Sequence, residues 1–553
     1  MRPYGVAWHS PRTPYPKPFF IPNQPLAPSP FSLYPCAMNI VGNRTLRSIL
    51  EQKAEAHSDR PFLIFEEQDG PVSTYSYQQF DRMVNRTANA MLGLGVGKGD
   101  KVHLHLLNCP EFLFLWFATA KIGAVMMPTN PLSPPDELSY PVHHSESVVS
   151  ITQPDLLPAV QAIRESCPSL REVIVVGEGD HNERSFSELI KGQRTELRAI
   201  QINPLDEAAI MYTSGTTSRP KGVLVTHANY IYMGEVISKI MGLGPDDRHL
   251  VTLPLFHANA MYYSFMTTLT VGASAALMSR FSATRFMKQS KRHGATVTSL
   301  FAAPMRMILA QPELPTDSQN RLRLVIFAQN VTPDQLEEWE RRYSAPLMQI
   351  YGMTETMGQP LTNPLYGVRD NMTIGLPTLG YECRVVDPDG VDVPEGTSGE
   401  LLVGGTPGST VMKGYFKDAD ATAGALRNGW LWTGDVVRVN EAGYFEFVDR
   451  DKDMIKRTGE NIAAGEVEAV IKTHPAVADT AVIGVPDQMR DESIKAFVVV
   501  RDGESPTEQE IIEYCAARLS KFRVPEFVEF RQELPRTSVG KIQKHILRAE
   551  EGV

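Results

Sequence analysis

A chain of 553 residues is too long for one core, and 42% apolar residues are enough for two or more folded units. The formal net charge of -10 excludes a protein that wraps nucleic acid through its phosphates and points to small-molecule partners. Cys36, Cys109, Cys167, Cys383 and Cys515 stand far apart with no C-x-x-C pair, which argues against a disulfide framework or a structural zinc site and fits a reducing, cytoplasmic setting.

Residues 1–37 are crowded with proline, which interrupts helices and sheet ladders alike, so they read as a disordered tail. They have neither the apolar core of a secretion signal nor the pattern of a transit peptide, and Met38 offers a second start. From about Asn39 to Val448 short apolar runs alternate with amphipathic stretches. KVHLHLL at Lys101, EVIVVG at Glu172, AAIMYT at Ala208, HLVTLPL at His249, ATVTSLFAAP at Ala295 and LRLVIFA at Leu322 predict strands in α/β layers with substantial parallel sheet. The most apolar run, Phe112 to Met127, is short of a bilayer span and carries Lys121, so it reads as a buried helix and no membrane span is expected. Beyond Gly380 the text grows dense in Gly, Asp and alternating β-branched residues, which predicts hairpins and a twisted β subdomain. DRDKDMIKRTGEN, Asp449 to Asn461, is a charged bridge with little to bury. It divides a large N-terminal domain, residues 38–449, from a small C-terminal α+β domain, residues 450–553, built on VEAVIKTHP, TAVIGVP, SIKAFVVV and EQEIIEYCAARL. There is no internal repeat.

The stretch YTSGTTSRPKGV, Tyr212 to Val223, follows a predicted strand and precedes a helix read over Thr226 to Leu243. Strand, donor-rich loop, helix is a geometry that cradles phosphate. It is not a Walker A loop, because Pro220 precedes the lysine and Gly222 follows it where a magnesium-binding hydroxyl would stand. Alone, such a loop is usually a solvated turn. Its distant companions change the weighing: YGMTET at Tyr351, WLWTGD ending at Asp435, DRDKDMIK with Arg450, and LPRTSVGKI containing Lys541 follow in order across more than three hundred residues.

Together these motifs resemble the adenylate-forming superfamily of acyl-CoA synthetases, nonribosomal peptide adenylation domains and beetle luciferases, over roughly Asn39 to Arg548. TTSRPKGV, MIKRTGEN, MRDESIKAFVVV and KFRVP are most similar to the carnitine/crotonobetaine-CoA ligase branch, in which Ser218 marks the subgroup. The resemblance implies a ligase that joins a carboxylic acid to the α-phosphate of ATP, releases pyrophosphate, and then lets the thiol of coenzyme A displace AMP. Thr213, Ser214, Gly215, Thr216, Thr217 and Lys221 would hold the β- and γ-phosphates. Glu355, with Thr213, would bind Mg²⁺, a hard ion suited to carboxylate and phosphate oxygens. Tyr351 and Gly352 would lie against the adenine, Thr354 would contact the α-phosphate, and Asp435 and Arg450 would hold the ribose. Lys541 would reach the reacting carboxylate and phosphate as a mobile point charge. For the thiol step the small domain would turn about Lys452, bringing Gly459 to line the thiol tunnel, and His257 would face the acyl pocket. Where many relatives carry a Gly-rich turn near the adenine, this sequence reads Ala328-Gln329-Asn330.

Two alternatives share this chemistry: an enzyme that loads the pantetheine of an acyl carrier protein, and a ligase that takes preformed acyl-adenylate. A regulatory protein without turnover sits poorly with Lys541, Glu355 and Asp435, and nothing hints at an oxygenase substrate. The acid itself stays open. Tyr230, Tyr232, Tyr262 and Tyr263 would suit an aromatic cage for a quaternary ammonium, and the same apolar segments would suit a medium-chain or terpenoid acid.

Overall fold

The computed structural model describes residues 40–553 apart from 69, 214–219, 330, 451–452, 458–459, 488–490, 520–522 and 537–541. The proline-rich segment 1–37 thus lies outside the described residues. Among the described residues the strands form four sheets. In the nine-stranded sheet Leu347–Tyr351, Leu324–Ala328, Val297–Phe301, Arg248–Val251, Ser274–Met278 and Pro61–Glu66 run parallel side by side. Parallel neighbours need crossovers that cover both faces, which is why Leu324 to Phe327 are all apolar and all buried. These strands end on one edge, so Tyr351, Ala328, Phe301 and Val251 come last along it. Ligands in open α/β sheets bind outside such an edge.

The eight-stranded sheet has a parallel centre that includes Lys101–His105, Val125–Pro128 and Glu207–Thr213. Here the structure corrects the expected strand, loop, helix. Glu207–Thr213 returns as a second strand, Lys221–Thr226, paired antiparallel with Thr213 opposite Lys221, and only then does the helix His227–Ile240 begin. The helix starts where expected because Thr226 and Asn229 form a reciprocal cap. The apolar run Phe112 to Met127 is also two elements, a helix Pro110–Ile122 and a strand Val125–Pro128, separated at Gly123 with φ 76°. Lys121 is fully buried on that helix, and its ammonium reaches Asp81 at 2.6 Å, Asn85 at 2.9 Å and Glu51 at 3.2 Å. No helix among the described residues is long and apolar enough to cross a membrane.

The expected hairpins appear as an antiparallel sheet that includes Glu382–Val386, Gly399–Gly404, Trp430–Val439 and Phe445–Arg450. The fourth sheet is drawn wholly from residues 454–531 and packs with the helices Ala464–Lys472 and Glu508–Ala516 around a core of its own, including Ile455, Ile462, Val467, Ile494 and Ile511.

His103, His105, His227 and His249 are walled into the large apolar interior. Burial pushes His105 and His227 down to about 4 and His249 to about 3, and holds His103 well below the usual imidazole range. The Leu46 N–H donates to His227 Nδ1 at 3.3 Å, a bond that only the neutral ring accepts. In the unfolded chain these rings titrate near 6.5, so between about pH 6.5 and 4 the unfolded state binds more protons and stability falls as the pH falls. The melting temperature is expected to be level above about pH 7 and to descend steadily below about 6.5, with a loss on the order of several kcal/mol by pH 4. A melting temperature that stayed level across that window would contradict neutral buried rings.

Candidate active site

Of the expected site residues that are described, Tyr351 meets Asp435 at the carboxyl edge of the nine-stranded sheet, and Glu355 meets Tyr415 on the edge strand of the eight-stranded one. Tyr351 closes its strand, and its hydroxyl donates to Asp435 Oδ2 at 2.6 Å across 84 residues of sequence. Asp435 is 4% exposed and lies opposite Arg450 on the antiparallel ladder between Trp430–Val439 and Phe445–Arg450. The register of that hairpin therefore makes the aspartate and arginine ladder partners.

The turn after Tyr351 is set by close packing. A Cβ on Gly352 would come within 2.3 Å of the Gly358 carbonyl oxygen and 2.6 Å of the Tyr263 hydroxyl, so only glycine fits. Thr354 is half-buried, whereas Glu355 is buried. The Tyr415 hydroxyl donates to Glu355 Oε1 at 3.0 Å. Burial and the adjacent carboxylate push the Tyr415 phenol far above its usual range, so it stays a donor. Its ring also lies under the Lys221 ammonium, 5.0 Å from the centroid, a cation–π arrangement. Tyr415 pairs with Val223 on the strand that begins at Lys221, so the strand absent from the sequence reading is the one that aligns Lys221, Tyr415 and Glu355. At the base of the same hairpin the Thr213 hydroxyl donates to the Lys221 carbonyl at 3.5 Å.

His257 lies in the loop that leads into a π-helical turn, Ala260–Met266, of the kind often found at functional sites. Its ring sits 5.0 Å from Phe256 and 6.1 Å from Phe301, centroid to centroid. Burial lowers it to about 4, so it faces its surroundings as a neutral ring at physiological pH. The loop before it is moored by buried Asn108, whose amide donates to the Leu253 and Met278 carbonyls and whose oxygen accepts from the Leu255 N–H.

Gln329 has φ 78°, the left-handed region that side-chain-bearing residues rarely adopt. The chain thus keeps, without glycine, the backbone conformation for which a Gly-rich turn is suited. Of the four tyrosines considered for an acyl pocket, Tyr230 packs against Trp116 and Tyr262, and Tyr232 bonds the Gly380 carbonyl and packs edge-on to Tyr381. Tyr263 touches the turn after Tyr351. Ser214, Gly215, Thr216, Thr217, Asn330, Lys452, Gly459 and Lys541 lie outside the described residues, as does the side chain of Arg450. Tyr415 and Asn108 were missed by sequence reasoning, since both act through contacts with residues far along the chain.

Comparison with known proteins gives this geometry its context. The family of AMP-binding enzymes matches residues 50–416, and the AMP-binding enzyme C-terminal domain matches residues 466–541. The chain is 38% identical over 517 residues to a crotonobetaine/carnitine–CoA ligase of Salmonella choleraesuis and 39% identical to one of Citrobacter koseri, covering 92% of this chain and 100% of each relative. Among solved structures it superimposes on the anthranilate CoA ligase AuaEII in complex with anthranoyl-AMP, with a TM-score of 0.82, 28% identity, and 92% and 97% of the two chains covered. It superimposes equally on ATP-bound MatB from Rhodopseudomonas palustris, with a TM-score of 0.82, 28% identity and coverage of 92% and 99%.

Proposed function

Because the chain belongs to the AMP-binding enzyme family, we propose that the residues gathered around Tyr351, Asp435 and Glu355 carry its reaction. The enzyme is an AMP-forming acid–thiol ligase: a carboxylate attacks the α-phosphate of ATP, pyrophosphate leaves, and the acyl group then passes to coenzyme A. The observation that carries the assignment of roles is the Tyr351–Asp435 hydrogen bond of 2.6 Å, which brings two expected nucleotide contacts into one site. In this reading Asp435 accepts from the ribose hydroxyls with Arg450 beside it, Tyr351 offers its ring to the adenine, and Thr354 contacts the α-phosphate. Ser214, Gly215, Thr216 and Thr217, between the paired ends Thr213 and Lys221, receive the β- and γ-phosphates.

A single buried carboxylate beside that hairpin suits Mg²⁺, which binds through one or two protein carboxylates and takes its other oxygens from phosphate and water. When bound it would neutralise phosphate charge as the two anions approach. Glu355 would hold it, with Thr213 nearby, and Tyr415 would fix the Glu355 carboxylate through its 3.0 Å bond. His257 would stand as a neutral ring at the acyl pocket. We assign residues 38–449 and 450–553 as two domains that alternate about Lys452, with Gly459 entering the site for the thiol step. The acceptor is free coenzyme A, as in the names of the relatives, and a carrier pantetheine is the competing acceptor. Cys109, Cys167, Cys383 and Cys515 are free thiols, which suits a reducing compartment such as the cytoplasm.

Pyrophosphate exchange into ATP with single carboxylic acids tests the reading, and an enzyme that showed none with any acid would exclude adenylation. In the same assay Asp435→Asn is expected to raise KM for ATP by about 10–100-fold, the size of a lost hydrogen bond to a charged group, with KM for the acid little changed. An equal rise for both substrates would remove Asp435 from the ribose.

A further inference from the structure

Two buried amides stand outside every role described so far. Asn259 immediately precedes the π-helical turn Ala260–Met266, two residues after His257, and Gln359 follows Gly358 at the end of the loop that carries Glu355. Asn259 is 5% exposed and Gln359 is 0% exposed. None of Asn259 Oδ1, Asn259 Nδ2, Gln359 Oε1 and Gln359 Nε2 has a hydrogen-bond partner among the described residues. An amide carries both donors and an acceptor, and burying all of them unmatched is costly when leucine or methionine would fill the same volume without that cost. The Thr252 hydroxyl is likewise buried and unmatched among the described residues, just past the strand Arg248–Val251 on the same sheet edge.

The two segments meet. Tyr263, one turn on from Asn259, turns its hydroxyl to the Gly358 carbonyl at 3.4 Å, next to Gln359, and closes over Gly352. Along the chain the first segment begins at His257, and the second runs back to Tyr351 and Glu355. An isolated unmatched group can be met by one ordered water. Two whole amides on two segments that share one contact fit a ligand that supplies the missing partners.

We propose that Asn259 and Gln359 read a hydrogen-bonding group, a hydroxyl or an amide, on the chain of the acid beyond its carboxylate. The selected acid is then a polar-substituted one and not a plain alkyl acid. This rests on the adenylation reading, whose acyl pocket it specifies. It also explains why these segments carry amides where apolar side chains would make a more stable protein.

Two matched pairs serve as probes: 3-hydroxybutyrate against butyrate, and N-acetyl-β-alanine against hexanoate. In thermal shift measurements on the whole protein, which need no turnover, at least one polar member is expected to raise the melting temperature well above its plain partner. In pyrophosphate exchange the same polar acid is expected to be favoured by about 100-fold or more in kcat/KM. Asn259→Leu and Gln359→Met should each cut that preference at least tenfold, chiefly through KM for the polar acid, while the free variants melt no lower than the parent. Equal shifts within both pairs, no shift with either polar acid, an unchanged preference in the variants, or variants that melt lower and lose both acids alike would overturn the proposal. Exchange absent with every acid while a polar acid still shifts the melting would defeat the adenylation reading and uphold the polar pocket. Exchange that treats both members of each pair alike would do the reverse.

Discussion

Replacing Lys541 with alanine is expected to lower acid-dependent pyrophosphate exchange by about 10²–10³ or more, while thioester formation from supplied acyl-adenylate continues near the parent rate. The first step brings a carboxylate against a polyphosphate, so charge accumulates at the α-phosphate and an ammonium there stabilises the transition state more than the ground state. In the second step the adenylate is already formed and the lysine has no such charge to meet. The described residues that flank it tie this segment to the small-domain sheet and bring it near the large domain. Arg536 pairs with Ile542 across an antiparallel bridge and pairs in charge with Asp479. Burial and the nearby charge of Arg306 lower the Arg536 guanidinium, and Arg306 belongs to the helix Ala302–Leu309 that directly follows Phe301, the ring beside His257. Equal losses in the two half-reactions would show that Lys541 serves the fold or both steps, and would remove it from adenylation.

The layers were legible because strands buried on both faces leave unbroken apolar text, as in LRLVIFA, and because hairpins announce themselves through Gly and Asp between alternating residues. The helix His227–Ile240 was legible from its cap at Thr226, yet the strand before it was not. Lys221 and Gly222 read as the tail of the loop, and the short run Val223 to Val225 between loop and cap was absorbed into them. Nor could periodicity divide Phe112 to Met127, since a helix and a strand that are both buried all round look alike until Gly123 is seen to turn left-handed.

The candidate site follows the same rule. Tyr351, Glu355 and Asp435 were readable because each stands in a local motif, and the structure brings Tyr351 to Asp435 and sets Glu355 three residues beyond Gly352 on a turn that admits no side chain at that glycine. Tyr415 was not readable: it reaches Glu355 only through the antiparallel register of Gly414–Tyr415 with Lys221–Thr226, a contact over 60 residues of sequence. The unmatched amides of Asn259 and Gln359 were invisible for a related reason. Asparagine and glutamine in sequence look like surface residues, and only burial without partners gives them meaning.

Lys452→Pro is expected to separate the two half-reactions, leaving pyrophosphate exchange largely intact and lowering acyl-CoA formation by a factor of about 10² or more, the scale on which misplacing a catalytic element acts. Proline holds φ near −65°, so a residue about which a domain turns loses the freedom to adopt a second backbone state. The bridge is suited to such a turn. Arg548 pairs with Asp453 at 2.6 Å and so fastens the small-domain side just past Lys452, whereas Asp449 holds the Gly465 N–H at 2.8 Å across the bridge, a bond that a turn about Lys452 would have to break. Adenylation should survive because the orientation expected to be trapped is the one in which Lys541 would reach the reacting phosphate. Measuring exchange and acyl-CoA formation on one preparation, with the melting temperature as a control, decides the matter. Parallel losses with an unchanged melting temperature would show that the turn occurs elsewhere in the bridge, and losses with a lowered one would show that proline had damaged the fold. In that second case Lys452→Gly, which widens the backbone freedom instead of narrowing it, should keep both half-reactions if the residue is the pivot.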